Sequence, residues 1–303
     1  MNLDAMHKYM DLEIRPCVVC GEKQFEVFAK KEYLTARKCK ECGMISVNPY
    51  YTDAGLEVLY SKYLTNRLLD KDLEEKRSVM YNIDRDWILN FVKQGYILDI
   101  GSSAGYFLSR FNSNNFTRHG VEFSSECKSK AKELFDIPVR VGNFVEMDFN
   151  VEYDLIMLRG VIEHFNDPVS VIRKVSKIIT KGGYLYITAT PNGQSFAFDV
   201  YREKWNLFSV DHVHFFSVKH LDDIMRKYGF SLVSHHYQYE ETPYANPESD
   251  FKKIKKDINL IESGNSNSID SSVPFIGSML TAVWKFNGVD RKIDLKAINS
   301  TGK

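Results

Sequence analysis

The 303-residue chain lacks an excess of either charge: Lys and Arg number 40, Asp and Glu number 40, and the formal net charge is +0. A balanced chain exerts no long-range attraction on a polyanion, which argues against a nucleic-acid partner. No apolar run approaches the roughly 20 residues that a membrane span needs, and the opening MNLDAMHKYMDLEIR has no apolar core of the secretory kind. Internal repeats are also lacking. These absences lead us to expect a cytoplasmic protein whose thiols stay reduced. Cysteine is scarce, at five residues, and four of the five fall in two close pairs. In a reducing compartment such pairs favour a metal over disulfides.

What remains has the composition of an ordinary globular protein, 44% hydrophobic and 26% charged. The length suits one mid-sized domain with an appendage, or two small domains. We divide the chain into a cysteine-bearing ribbon at 1–50, a helical lid or linker at 51–95, the main domain at 96–290 and a tail at 291–303. In the second segment Leu56, Leu59, Tyr60 and Tyr63 recur at helical spacing, as do Ile83, Trp87, Ile88 and Phe91. From 96 to 192 short apolar runs at 96–100, 118–122, 138–141, 153–158 and 183–189 alternate with helical stretches, the rhythm of a parallel sheet. A helix at 218–228 and a strand near 230–237 follow. The stretch 240–272 is polar and most loop-like at ESGNSNSIDSS, and 274–286 is apolar enough for a last strand.

Cys17 and Cys20, then Cys39 and Cys42, form C-x2-C, eighteen residues, C-x2-C, with Gly21 and Gly43 directly after each pair. That spacing matches a zinc ribbon, in which two knuckles bring four thiolates into a tetrahedron. A site closed by four protein ligands has no open position for chemistry, so the zinc is expected to be structural. Cys127 stands alone and is expected to be buried.

The sharpest signal is YILDIGSSAGYFL, 96–108. A strand carries Asp99 to its tip, and a turn of small residues, Gly101, Ser102, Ser103, Ala104 and Gly105, is expected to open a helix at Tyr106. Small residues let a ligand approach the backbone, and a helix start offers free N–H groups. The next strand ends at Glu122, placing a carboxylate where it can accept hydrogen bonds from two ribose hydroxyls. A dinucleotide site shares this logic, but the turn lies mid-chain and Ser103 stands where the central glycine would be.

From 96 to 192 the chain resembles the class I S-adenosylmethionine-dependent methyltransferases. LDIGSSAGYFL is similar to their first motif, GVEFS to the second, GNF at 142–144 to the third, and YDLIMLRGVIEHFNDPVSVIRKVSKIITKGGYLYITATPN to the fourth through sixth. The resemblance implies a doubly wound, mostly parallel seven-stranded sheet of Rossmann-like α/β type. It also implies that Asp99 and the turn 101–105 hold the methionine end of the cofactor, Glu122 its ribose, Asn143 and Phe144 border its adenine, and Arg159 and Gly160 lie beside the sulfonium, with Tyr106 and Phe123 as further cofactor-binding candidates. The arrangement CxxCG…CxxCGxxxxNP followed by a tyrosine-bearing helix resembles an N-terminal module of bacterial sugar-modifying methyltransferases. Tyr60 and Tyr63 are then candidates to cover the cofactor.

On the acceptor side YREKWNLFSVDHVHFFSVKHL, 201–221, concentrates three histidines, an aspartate and several aromatics, and resembles a segment of the sugar-modifying relatives. Methyl transfer is an in-line displacement whose catalysis is largely alignment. An alcohol must also lose a proton, a task for a near-neutral histidine. His212 is the expected base, with His214, His164 and Asp211 as alternates, Asp211 as an orienting partner. The expected acceptor is a sugar hydroxyl, on a nucleotide-linked sugar or a surface-polysaccharide precursor. Three rivals stay open: a quinone-type phenol as acceptor, which the ribbon argues against; a zinc-containing nucleic-acid-binding protein; and a cofactor binder without turnover.

Overall fold

Apolar strands flanked by amphipathic helices assemble into a sheet covered on both faces, and that layering decides where a ligand can bind. The computed structural model describes residues 3–60 and 71–288, so Tyr63 of the expected lid and the tail at 291–303 lie outside the described residues.

In chain order the first elements are β1 (Phe25–Lys31), β2 (Leu34–Cys39), β3 (Ile45–Val47), α1 (Asp53–Val58), α2 (Lys71–Ile88), β4 (Gly95–Ile100), β5 (Phe116–Glu122), α3 (Ser125–Phe135) and β6 (Val139–Val141). There follow β7 (Tyr153–Arg159), α4 (Pro168–Ile178), β8 (Ile179–Pro191), α5 (Phe196–Tyr201), β9 (His214–Phe215), α6 (Val218–Arg226), β10 (Phe230–His236), α7 (Pro247–Glu262) and β11 (Met279–Phe286). Seven strands form the larger sheet in the order β10-β11-β8-β7-β4-β5-β6. Neighbours from β8 through β6 are parallel, and β11 runs antiparallel to both β8 and β10. The expected mostly parallel, Rossmann-like seven-stranded sheet is therefore present.

The central strands read as near-continuous apolar runs because both faces are buried. Leu98, Ile100, Ile156 and Leu158 face Val171 and Val175 of α4 and Leu221 and Ile224 of α6. Alternating with them, Ile97, Leu155 and Met157 face Ile88 of α2 and Ala131 of α3. Each such fully buried side chain stabilises the fold by about 1.5–3 kcal/mol. The helices start where the sequence caps them. Asp167 accepts from the Ser170 N–H at 3.0 Å ahead of Pro168, and Ser217 and His220 close a capping box on α6. The chain leaves β4 toward β5 and β6, then returns to β7 on the other side of β4. That reversal opens a crevice at the carboxyl ends of β4 and β7, where open parallel sheets bind ligands.

The cysteine-bearing segment folds as a second sheet, order β1-β2-β3-β9, in which the last strand belongs to the main body of the chain. Ile45 and Ser46 pair antiparallel with Phe215 and His214. Lys227 Nζ donates to the Val19 carbonyl at 2.8 Å, and His220 Nε2 lies 3.0 Å from the Cys42 carbonyl. Cys17, Val19, Cys39 and Met44 share one apolar cluster with the strands of the large sheet. The segment is thus built into the core instead of hanging from it.

Two expectations are corrected. No α-helix follows the small-residue turn; residues 101–107 run through turns into a single 3-10 turn, Leu108–Arg110. Inside the polar stretch 240–272 lies the 16-residue helix α7. Its buried face carries Asp250 and Asp257, which are hydrogen-bonded by the hydroxyls of Tyr239 and Tyr201 at 2.8 and 2.7 Å. Among the described residues no helix is long and apolar enough to cross a membrane.

Candidate functional site

The turn after β4 is shaped to receive a ligand. Gly101 has φ +75°, and a methyl group added there would stand 2.6 Å from Val161 Cγ2. Ser103, where related turns carry glycine, adopts φ +49°, a left-handed conformation that costs an L-residue roughly 1–2 kcal/mol. Its N–H donates to Glu122 Oε2 at 2.9 Å, while Glu122 Oε1 accepts from the Phe123 N–H at 2.7 Å. The carboxylate at the tip of β5 therefore already holds the turn in place. Phe123, 54% exposed, stands beside it as an open aromatic face.

Two buried groups in this crevice are left without partners. Asp99 is 2% exposed and, among the described residues, its Oδ1 accepts no hydrogen bond and the Ser102 hydroxyl, also buried, has no partner. Burial pushes the Asp99 carboxyl up to about 8, Arg159 opposing and Glu122 adding to the rise. A buried orphan acceptor costs roughly 1–3 kcal/mol unless a ligand donor meets it, and the ammonium of an amino acid is such a donor. The residues fit the methionine end of S-adenosylmethionine.

Other expected contacts lie differently. The Arg159 guanidinium donates to Asp84 of α2 at 2.8 Å and lies 4.7 Å from the Tyr81 ring centroid. Asp84, 0% exposed, also accepts from Tyr186, Thr188 and Gln238 at 2.8–2.9 Å. Arg159 thus ties α2 to the sheet, while Gly160, φ +61°, carries the backbone on past the crevice. Phe144 is 2% exposed and packs in the core against Phe149. The Asn143 side chain caps the short turn that follows it, accepting from the Val145 N–H at 3.1 Å and donating to Glu146 at 3.0 Å. Ala104 is buried, and Tyr106 packs edge-on against Phe135 at 5.2 Å.

Beyond the tip of β7 the 3-10 turn Ile162–His164 meets the loop that carries His212, through the Val213 N–H to the Glu163 carbonyl at 3.0 Å. The His164 and His212 ring centroids stand 5.0 Å apart. His164 Nδ1 lies 2.5 Å from the Asp211 carbonyl, and His212 Nδ1 lies 2.6 Å from the Leu207 carbonyl. A carbonyl can only accept, so each Nδ1 carries a proton and each Nε2 is the ring nitrogen left for another partner. Ser209 donates to the Asp211 carboxylate at 2.5 Å and lies 3.1 Å from His212 Nδ1, linking the two residues. Asp211 therefore orients His164 by its backbone and His212 through Ser209. Sequence reasoning passed over Glu163, although it stands in the EHF motif. Its side chain is 0% exposed, and Oε2 accepts from Thr190 at 3.1 Å. Oε1 has no hydrogen-bond partner among the described residues and lies 3.9 Å from His164 Nε2. Burial raises the Glu163 pKa, which His164 counters.

His214 is not part of this group. It is 4% exposed at the seam between the two sheets, its Nδ1 3.0 Å from the Ser46 hydroxyl, and burial lowers its pKa to about 4. Tyr60 links the two halves of the crevice: its ring meets His164 edge-on at 6.0 Å, and burial with the Asp211, Glu163 and Glu122 carboxylates raises its phenol pKa.

The four paired cysteines converge. Cys17 and Cys42 Sγ are 3.5 Å apart, Cys20 and Cys42 3.5 Å, and Cys20 and Cys39 3.6 Å. Four thiolates around one zinc at about 2.3 Å stand roughly 3.8 Å from one another, so the group could hold that ion.

The profile of a family described as methyltransferase domain matches residues 62–235. An uncharacterized protein of Methanocaldococcus jannaschii is 24% identical over 162 residues, covering 52% of this chain and 76% of that one. Among solved structures, the fold is similar to a methyltransferase of Thermotoga maritima described as a possible histamine N-methyltransferase. The TM-score is 0.53 and the identity 17%, over 77% of this chain and 99% of the other. It is also similar to the magnesium protoporphyrin IX methyltransferase of Synechocystis PCC 6803 with bound S-adenosylhomocysteine, at TM-score 0.54 and 10% identity over 78% and 100%.

Proposed function

The chain belongs to the methyltransferase-domain family, and from that premise we propose that it methylates a sugar hydroxyl, on a nucleotide-linked sugar or a polysaccharide precursor. S-Adenosylmethionine supplies a methyl group on a positively charged sulfur. Asp99 and the turn 101–105 hold its amino-acid end, Glu122 its ribose and Phe123 the adenine side. His212, oriented by Leu207 and Ser209, activates the acceptor hydroxyl at Nε2, with His164 beside it. Asp211 positions both rings.

One observation carries the choice of acceptor: the buried Glu163 Oε1, without a hydrogen-bond partner among the described residues, lies against two imidazoles whose Nδ1 atoms are held by carbonyls. Three polar atoms in so small a volume match neighbouring hydroxyls of a sugar better than the single oxygen of a phenol on an apolar ring. The resemblance of the N-terminal module to sugar-modifying methyltransferases supports the same reading. The cysteine centre is assigned a structural zinc. Its loss would disorder a sheet that ends in β9, one residue beyond Val213 and two beyond His212.

The test is incubation with methyl-labelled cofactor and a panel of nucleotide sugars and phenols. A gain of one methyl on a sugar, with S-adenosylhomocysteine formed in equal amount, is the expected result. Label on the phenols alone would refute the sugar assignment.

A further inference from the structure

The Glu163 carboxylate, with His164 and His212, has the composition of a cation site as well as of an acid–base group. One ligand atom from each lies within 4.8 Å of the other two. Two ligands bound to one ion at about 2.1 Å stand roughly 3–4 Å apart, so side-chain rotations of under an ångström or so would close the set. The outer contacts have the form that metal-binding histidines require: each Nδ1–H is donated to a backbone carbonyl, Asp211 at 2.5 Å and Leu207 at 2.6 Å, which fixes the tautomer and aims Nε2 inward. Independently, Glu163 is wholly buried and its Oε1 meets no donor among the described residues. A buried carboxylate oxygen facing two imidazoles whose Nδ1 atoms are already committed to carbonyls is an arrangement that a cation satisfies.

We propose that Glu163, His164 and His212 bind one first-row divalent cation, whose remaining positions take oxygens of the acceptor. Two imidazoles and one carboxylate are a donor set for such ions rather than for magnesium or calcium, which prefer all-oxygen sites. The inference rests on the placement of the acceptor at this group and specifies how the histidines act: as ligands of an ion that activates the hydroxyl. A hydroxyl held by the cation has a lowered pKa. Its O–H bond breaks near neutral pH, the electron pair stays on oxygen and the proton passes to a solvent water. The site is distinct from the cysteine centre, which offers sulfur donors alone.

Manganese(II) is a suitable probe because it does not compete well for four thiolates. It is titrated into the full-length protein, purified with its thiol-bound metal retained, while electron paramagnetic resonance follows the free ion. The wild type is expected to bind one manganese per chain. Glu163→Gln, His164→Ala and His212→Ala should each bind at least about ten-fold more weakly, with calorimetric affinity for S-adenosylhomocysteine kept. That affinity reports an intact fold and an intact donor site, separately from the cation. The proposal is overturned if the wild type binds S-adenosylhomocysteine but no manganese, or if the three variants bind manganese as the wild type does.

Discussion

At the scale of single residues, the crevice is defined by polar groups that its own chain leaves unmet. Glu122 accepts backbone N–H groups from Ser103 and Phe123, so its carboxylate is fixed before any ribose arrives. Glu122→Ala is expected to weaken S-adenosylhomocysteine binding by about 1–3 kcal/mol, measured by calorimetry; an unchanged affinity would contradict the placement. His212→Ala should lower turnover about 10²–10⁴-fold while leaving that affinity alone. Asp99 makes a prediction about pH. Its carboxyl titrates at about 8 in the fold and near 3.9 in an unfolded chain. A raised acid holds its proton more tightly when folded, so its contribution is full below about pH 4 and is lost as pH rises through about 8. The ligand-free wild type should therefore lose thermal stability between about pH 4 and 8 more steeply than Asp99→Asn. Equal slopes would show that Asp99 is not buried as described. The small-residue turn and its acidic partner were legible in the sequence because both are local patterns. Glu163 was not, since being an orphan acceptor is a property of three-dimensional surroundings that no spacing encodes.

At the scale of elements, the parallel strands were readable because strands buried on both faces must be continuously apolar. Helix α7 was hidden for the converse reason: Asp250 and Asp257 occupy core-facing positions, satisfied by tyrosines at 239 and 201, so the apolar period is broken. The role of Arg159 was hidden by distance along the chain, its partner Asp84 lying 75 residues earlier. That carboxylate fastens α2 to β7 and β8 with three hydrogen bonds and to Gln238, past the end of β10, with a fourth. Asp84→Ala would leave the Arg159 charge buried and unpaired, and should cost about 3–5 kcal/mol of stability. Denaturant unfolding with an unchanged midpoint would show that the clamp carries little.

At the scale of the whole molecule, the two sheets form one structure. One cysteine of each pair, Cys17 and Cys39, sits in the same apolar cluster as the large sheet, and His220 of α6 and Lys227 just after it donate to the two knuckles. Titrating the thiols with a mercurial should release one zinc per chain and lower the melting temperature of the entire protein in a single transition. Four freely reacting thiols with no metal released would remove the structural zinc from the account. The spacing of the pairs pointed to a metal site, but the docking of their sheet on β9 depended on a pairing between segments some 170 residues apart, such as Ser46 with His214.

The account as a whole depends on the crevice at the ends of β4, β5 and β7 being a donor site. Isothermal calorimetry with S-adenosylhomocysteine tests it directly, comparing the wild type with Gly101→Val, whose added side chain would collide with Val161. One ligand per chain in the wild type and none detectable in the variant is the predicted result. No heat from the folded wild type, or equal binding by both proteins, would contradict it.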